Sequence, residues 1–506
     1  MIAFKEKIMI LLKNALVHDG SLNKIKKNDV LIDGDKILDV GSFSNFSGKT
    51  IDLTGFILCP GFIDLHAHSD LEILRNPLMK GKTNQGILTE ISGNCGIGVF
   101  PIKNNKDFPK SLIFDILGQY PFFDWTDYNS YKDKIHSPYD MRMLTSHSAL
   151  RFQAIRENAN REATDEEIKQ MTLLLKESFT QGTLGLSMGL YYAPGVFASN
   201  KELLSLAKTC AENNKILSVH HRCEGTNIIS SLNQILSIAK QTGVKLEISH
   251  LKIIGDKNQS LIDQVLNLIE NSSQVIGFDQ YPFEYGSTTL MGLLPPKVLS
   301  MERIQRSAFL KDSSNYPQLI NEINNPKNWD SILNMVSLSK IFITELTHFP
   351  ELRGKNLIEV GEHFKINPYH ALFKILSEET GEALMIDYTE SSATLGKIFR
   401  HRLSAFGTDA LYNSPFPHPR CYNSTNHILD PSFLKKHSSS LEWAIHRMTG
   451  LSAERFNLND VGFIRKGLKA NLVCFDPKQI KDNSSISEPA IKPEGFKYII
   501  QNGKIL

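Results

Sequence analysis

Cysteine is scarce in this chain: six residues in 506, Cys59, Cys95, Cys210, Cys223, Cys421 and Cys474, widely scattered and with no CxxC pair. That excludes a dense disulfide framework and a cysteine-rich zinc module, and leaves a single cysteine free to act as ligand or nucleophile. Net charge is equally small. Lys and Arg number 56 against 54 Asp and Glu, a formal +2, which gives no electrostatic case for a nucleic-acid partner. Long apolar runs are missing too; none approaches the roughly 20 residues of a membrane span. The apolar N-terminal stretch "KIMILLKNALV" follows lysines but precedes no small-residue cleavage site, and its continuation "VHDGSL" reads as strand and turn. The expectation is a cytoplasmic protein with no membrane partner.

What is present is strand and helix in alternation. The first 60 residues ("NALVHDGS", "DVLIDGDKILDVG", "KTIDLTGFILCPG") and residues 456–506 ("GFIRKGLKANLVCFDP", "FKYIIQNGKIL") read as short strands and tight turns. The two ends are expected to pair into one small β-sandwich around a middle domain of residues 61–455. In that middle, "ATDEEIKQMTLLLKESFTQG" reads as a helix with a Thr164/Glu167 capping box and a Gly182 stop, and Ser199/Glu202 repeats the pattern. Between helices lie short buried strands: "TLGLSMGL", "KILSVHH", "KLEISH", "QVIGFDQYPF" and "RLSAFGTDA".

Polar residues end these strands: His66 and His68, Cys95, His147, Ser187, His220, His250, Tyr281 and Asp409. Several are spaced about 30 residues apart, one βαβ step. The longer gap from Cys95 to His147 predicts a projecting loop around "PFFDWTDY". The gap from Tyr281 to Asp409 predicts an insertion, placed near 291–345, after the seventh strand. Eight such ends predict an α/β fold of the TIM-like (β/α)8 type, whose chemistry gathers at the C-terminal ends of the strands. A doubly wound sheet would not bring so many strands to one site.

His66 and His68 stand two apart after a buried strand, so they share a face. With Cys95, His220, His250 and Asp409 they supply the imidazole, thiolate and carboxylate groups that bind zinc. A metal that activates water, beside a carboxylate that moves its proton, predicts metal-assisted hydrolysis. Lys252 and Arg420 have two readings here, surface cations or substrate contacts; their positions at and after strand ends favour the second.

The ordered series "PGFIDLHAHSD", "GNCGIG", "LGLSMGLYYAPGVFA", "HHRCEG", "ISHLK", "YPFEYGSTTL", "GTDA", "HPR" and "HRMTGLSAERFNLNDVGFIRKGLKANLVCFDP" resembles the amidohydrolase superfamily, and within it the N-acyl-D-amino-acid deacylase (D-aminoacylase) family, over nearly the whole chain. The resemblance implies a metal-bearing barrel with a β-sandwich from both termini. It implies a tightly bound zinc on Cys95, His220 and His250, and a second, weaker metal position with His66 and His68. It implies Asp409 as catalytic acid and base, Lys252, Tyr281 and Arg420 facing the substrate, and hydrolysis of an N-acyl-D-amino acid. His220 fits an H-x-R-x-E pattern with Arg222 and Glu224. Glu90 departs from the pattern, in a strand where apolar residues or threonine are usual, as do Cys223 and Cys421. Two other functions fit less well. A cyclic amidase of the same superfamily would carry a lysine on the fourth strand, and "TLGLSMGL" has none. A non-catalytic relative would lack ligands, and here the set is complete. His147 and His418 receive no role.

Overall fold

The computed structural model describes residues 9–102, 116–118, 120, 124–155, 159–327, 329–379 and 383–506. Its central strands are short and mostly buried, as expected for parallel strands covered on both faces. We number them β1 (Phe62–Asp64), β2 (Ile87–Ser92), β3 (Asp140–Met143, continued as Thr145–Ser146), β4 (Gly185–Gly189), β5 (Ile216–His220), β6 (Lys245–Ile248), β7 (Val275–Gln280) and β8 (Ser404–Phe406). Each pairs in parallel with the next. The ring closes between β8 and β1, where Leu65 N donates to Phe406 O at 3.0 Å and Ala67 bridges Ala410. The fold is a closed (β/α)8 barrel, so the ends of all eight strands meet at one mouth.

The helices follow their sequence signals closely. Asp165–Thr180 starts at Thr164 with both arms of its capping box formed. The helix Asn200–Glu212 differs. Ser199 accepts from Glu202 N, but the Glu202 carboxylate turns inward to His147 Nε2 (2.7 Å) and Arg151. A buried cation next to it holds that carboxylate more strongly than a backbone N–H would.

The N- and C-terminal strands form one eight-stranded sheet, in which Ile57–Pro60 joins Met9–Val17 on one side and Leu472–Phe475 on the other. It folds about its own core of Leu12, Val30, Ile32, Leu58, Leu472 and Ile500. Between β7 and β8 lies a three-stranded antiparallel sheet, Tyr285–Thr289, Ala383–Tyr388 and Ile341–Leu346, with a separate core. This added structure spreads beyond 291–345 on both sides. Its central strand, Ala383–Tyr388, pairs with Tyr285–Thr289 across about a hundred residues, and nothing local in either strand marks that pairing. Of the "PFFDWTDY" stretch, residues 121–123 lie outside the described residues; Trp125 is buried, its indole N–H donating to Val99 O at 2.8 Å. Among the described residues no helix is long and apolar enough to cross a membrane.

One glycine on β4 decides how close the Cys95 turn comes to the barrel. A Cβ on Gly189 would sit 1.9 Å from Cys95 O, against backbone that cannot swing aside. Gly189→Ala is therefore expected to displace the Cys95 turn and to cost about 1–3 kcal/mol of stability. Thermal unfolding checks this; a variant with unchanged Tm would refute the close contact.

Candidate active site

β1 delivers the histidine pair. Asp64 at its end accepts from His66 N (3.0 Å) and from Thr408 N (2.8 Å), tying the His66 and Asp409 loops to one carboxylate. Behind it, fully buried Lys82 reaches Asp64, Thr408 Oγ1 (2.9 Å) and Glu90 Oε2 (3.3 Å). Glu90, the departure in the second strand, thus belongs to an ion cluster beneath the mouth and does not enter the site. A buried charge needs such partners to be tolerated.

β2 leads into the tight turn Gly93–Asn94–Cys95–Gly96. Cys95 has φ of 53°, flanked by Gly93 at 79° and Gly96 at 66°. Ser187 on β4 pins this turn, donating to Gly93 O and accepting from Gly96 N at 3.0 Å. His250 (φ 33°) and Asp409 (φ 52°) occupy the same left-handed region. Each such non-glycine residue costs about 1–3 kcal/mol, and such residues cluster at functional sites.

The side chains converge. Cys95 Sγ lies 3.2 Å from His66 Nε2 and 3.2 Å from His250 Nε2, and His250 Nε2 lies 2.9 Å from His220 Nδ1. Two groups of donors within 4.8 Å of one another result: Cys95, His220 and His250, and His66, His68, Cys95 and Asp409. Cys95 belongs to both. His220 Nε2 and His68 Nδ1 are buried without a hydrogen-bond partner. Thiolate and imidazole donors facing one another at this spacing fit a zinc-type cation. Burial pushes the Cys95 thiol up, but the imidazoles of His66, His250 and His220 outweigh it and hold the thiol well below its ordinary range.

Two carboxylates orient these rings, and the sequence reading gave them no such task. Asp279 on β7 lies 3.1 Å from His66 Nδ1 and accepts from His250 N at 3.0 Å. Glu224 lies 3.1 Å from His250 Nδ1 and accepts from Lys252 Nζ at 2.8 Å. Partners of this kind fix ring orientation and tautomer. Glu224 stands in the H-x-R-x-E pattern of His220. The signal for Asp279 was there as well, an acid inside the otherwise apolar "VIGFDQ".

Asp409 follows β8, its N–H donating to His66 O at 2.8 Å. Its carboxylate lies 3.1 Å from His68 Nε2 and 2.9 Å from Arg420 Nη1. Burial opposes its charge; Arg420 first and then His68 outweigh that and keep the carboxyl well below the usual range. The Arg420 contact is an ion pair by distance, but the Nη1 hydrogens do not point at the oxygen. Nη1 and Nε both lack a hydrogen-bond partner, while Nη2 donates to Ser287 O at 3.0 Å. Arg420 also stacks over the Tyr281 ring at 4.8 Å, and the Tyr281 hydroxyl is buried and unpartnered.

The cavity above is lined by His68, Cys95, His220, His250, Lys252, Tyr281 and Asp409, among others. Arg420 stands just behind that lining. His418 is structural: its Nδ1 accepts from Arg420 N (2.9 Å) and its Nε2 donates to Tyr285 O (3.1 Å). His147 is committed to Glu202, away from the mouth. Cys223 and Cys421 are buried, and burial raises both thiols to about 12.

Comparison with known proteins agrees with this geometry. A D-aminoacylase of Alcaligenes xylosoxydans xylosoxydans is 28% identical over 98% of this chain and 93% of its own length. An N-acyl-D-aspartate deacylase of the same organism is also 28% identical, over 98% of this chain and 91% of its own. A crystal structure of an N-acyl-D-glutamate deacylase from Bordetella bronchiseptica, complexed with zinc and a phosphonate mimic of the tetrahedral intermediate, superposes with a TM-score of 0.83. It is 25% identical, covering 99% of this chain and 96% of that one. The amidohydrolase family model matches residues 49–293 and 365–506, leaving out most of the added structure between β7 and β8. By sequence match, barrel and strand-end donors together, the chain belongs to the amidohydrolase family.

Proposed function

We infer that this chain is a zinc-dependent hydrolase that cleaves the amide bond of N-acyl-D-amino acids, releasing a carboxylate and a free D-amino acid. The observation that carries this reading is the convergence of one thiolate, four imidazoles and one carboxylate beside a cavity that Lys252 lines, with Arg420 just behind it. Cys95, His220 and His250 are assigned to the tight zinc position, and His66 and His68, with Cys95 shared, to a second and weaker one. Zinc held there acts as a Lewis acid and activates water for attack at neutral pH.

Asp409 is the base and acid. Held ionised by Arg420 and His68, it takes a proton from the attacking water and delivers it to the departing amide nitrogen, so that water's OH ends on carbon and its H on nitrogen. Arg420 suits the substrate carboxylate best: its guanidinium is a planar fork whose Nε and Nη1 make no hydrogen bond, although Nη1 is paired by charge with Asp409. Lys252 and the unpartnered Tyr281 hydroxyl complete the binding surface. With carboxylate and carbonyl fixed at two points, the side chain has one direction left, and handedness is read. The β4 strand offers only "GLSMG", with no lysine to bridge metals, which disfavours a cyclic amidase. The small-molecule substrate and six unpaired cysteines fit a cytoplasmic enzyme, and the net +2 charge gives nucleic acid no foothold.

Three experiments test the assignment. Asp409→Asn is expected to keep fold and zinc, measured by elemental analysis, yet to lose activity by about two orders of magnitude or more; near-normal turnover would remove Asp409 from its role. N-acetyl-D-amino acids are expected to be hydrolysed in preference to their L-enantiomers and carboxamides. Arg420→Ala is expected to raise KM steeply, with Arg420→Lys recovering part of the loss. Preference for L-substrates or for uncharged N-acyl amines would contradict the reading.

A further inference from the structure

Of the three relatives above, one is named for aspartate, one for glutamate and one for no side chain, and their overall similarity to this chain is nearly equal, so similarity does not choose a side chain for this one. Part of the cavity lining makes a choice. It is mostly apolar, with Ile254, Ile332 and Met335, and it includes two carboxylates, Asp330 and Asp387. Asp330 is occupied: it accepts from Gly225 N (2.6 Å) and Asn227 Nδ2 (3.0 Å) and holds a loop together.

Asp387 is not occupied in that way. It lies on Ala383–Tyr388, the central strand of the added sheet, paired with Gly286. It is 3% exposed, lines the cavity, and its Oδ2 has no hydrogen-bond partner. A Cβ on Gly286 would lie 3.2 Å from Asp387 Oδ1 and 3.2 Å from the Tyr281 hydroxyl, so both groups look onto the same small space. Lys252, the nearest cation in the lining, is engaged by Glu224, and Arg420 by Asp409 and Ser287. Burial pushes the Asp387 carboxyl up to about 6, with Lys252 drawing it down.

A buried carboxyl oxygen without a partner on a cavity wall is costly unless a partner arrives with the ligand. The substrate's own carboxylate has Arg420 and Lys252 to neutralise it, whereas a side-chain carboxylate brought beside Asp387 would be repelled in a low-dielectric space. An amine or guanidinium would pair with it, and the methylene stem of such a side chain would lie along Ile254, Ile332 and Met335.

Resting on the deacylase reading, we propose that Asp387 is a specificity-determining residue that selects N-acyl-D-amino acids with a cationic side chain, of the lysine and arginine type, and rejects acidic ones. Zinc-loaded enzyme should be assayed with N-acetyl-D-lysine, N-acetyl-D-arginine, the neutral isostere N-acetyl-D-norleucine and N-acetyl-D-glutamate. The cationic substrates are expected to exceed norleucine in kcat/KM by about tenfold or more, with glutamate lowest. Asp387→Asn, nearly the same size, is expected to erase most of that ratio while leaving the norleucine value within about threefold and zinc content unchanged. Norleucine or glutamate hydrolysed as well as lysine, or a ratio that survives Asp387→Asn, overturns the proposal and leaves the deacylase reading standing. Failure to hydrolyse any of the four overturns both.

Discussion

A thiolate buried among imidazoles is the constraint around which this barrel is arranged. Cys95 Sγ stands at hydrogen-bond range from His66 and His250 and belongs to both donor groups. A charged sulfur in that position is stable only with positive charge against it, from protonated rings or from a metal. The strained φ at Cys95, His250 and Asp409 follows from the same demand. Each residue leaves its strand in an unfavourable conformation so that its side chain can reach one common point, and barrel packing holds it there.

Holding that point fixed takes long-range carboxylate links. Asp279 connects the first ring to the backbone of His250, and Asp64 connects the His66 loop to the Asp409 loop. Lys82 and Glu90 then neutralise and brace Asp64 from below. These pairs join residues on β1, β2, β7 and β8, the strands that meet where the barrel closes. The lower layer serves position and the upper layer serves chemistry, and they are linked through Asp64 and Asp279.

The upper layer was largely legible in the sequence because it lies at strand ends. An apolar run followed by His, Cys or Asp is a local signal, and parallel strands bring every such end to one mouth. The Gly93 and Gly96 flanks marked the Cys95 turn in the same local way. The lower layer was hidden because its meaning lies in pairs far apart in sequence, 213 residues for His66 and Asp279 and 344 for Asp64 and Thr408. Glu90 was visible as an oddity, yet its partner Lys82 sits in a short helical turn that resembles any exposed lysine segment. The breadth of the added sheet was hidden for the same reason: "YGSTT" and "ALMIDY" carry no local mark of their pairing. Glu202 shows the converse error, a sound capping signal overridden by a tertiary partner.

The central claim is that one cysteine sulfur and several imidazoles bind the catalytic metal together. X-ray absorption at the zinc edge of the active enzyme tests it most directly. The expected spectrum has one sulfur at about 2.3 Å with nitrogen or oxygen neighbours at about 2.0–2.1 Å, and Cys95→Ser removes the sulfur shell. A fully active enzyme whose zinc has only nitrogen and oxygen neighbours would contradict it.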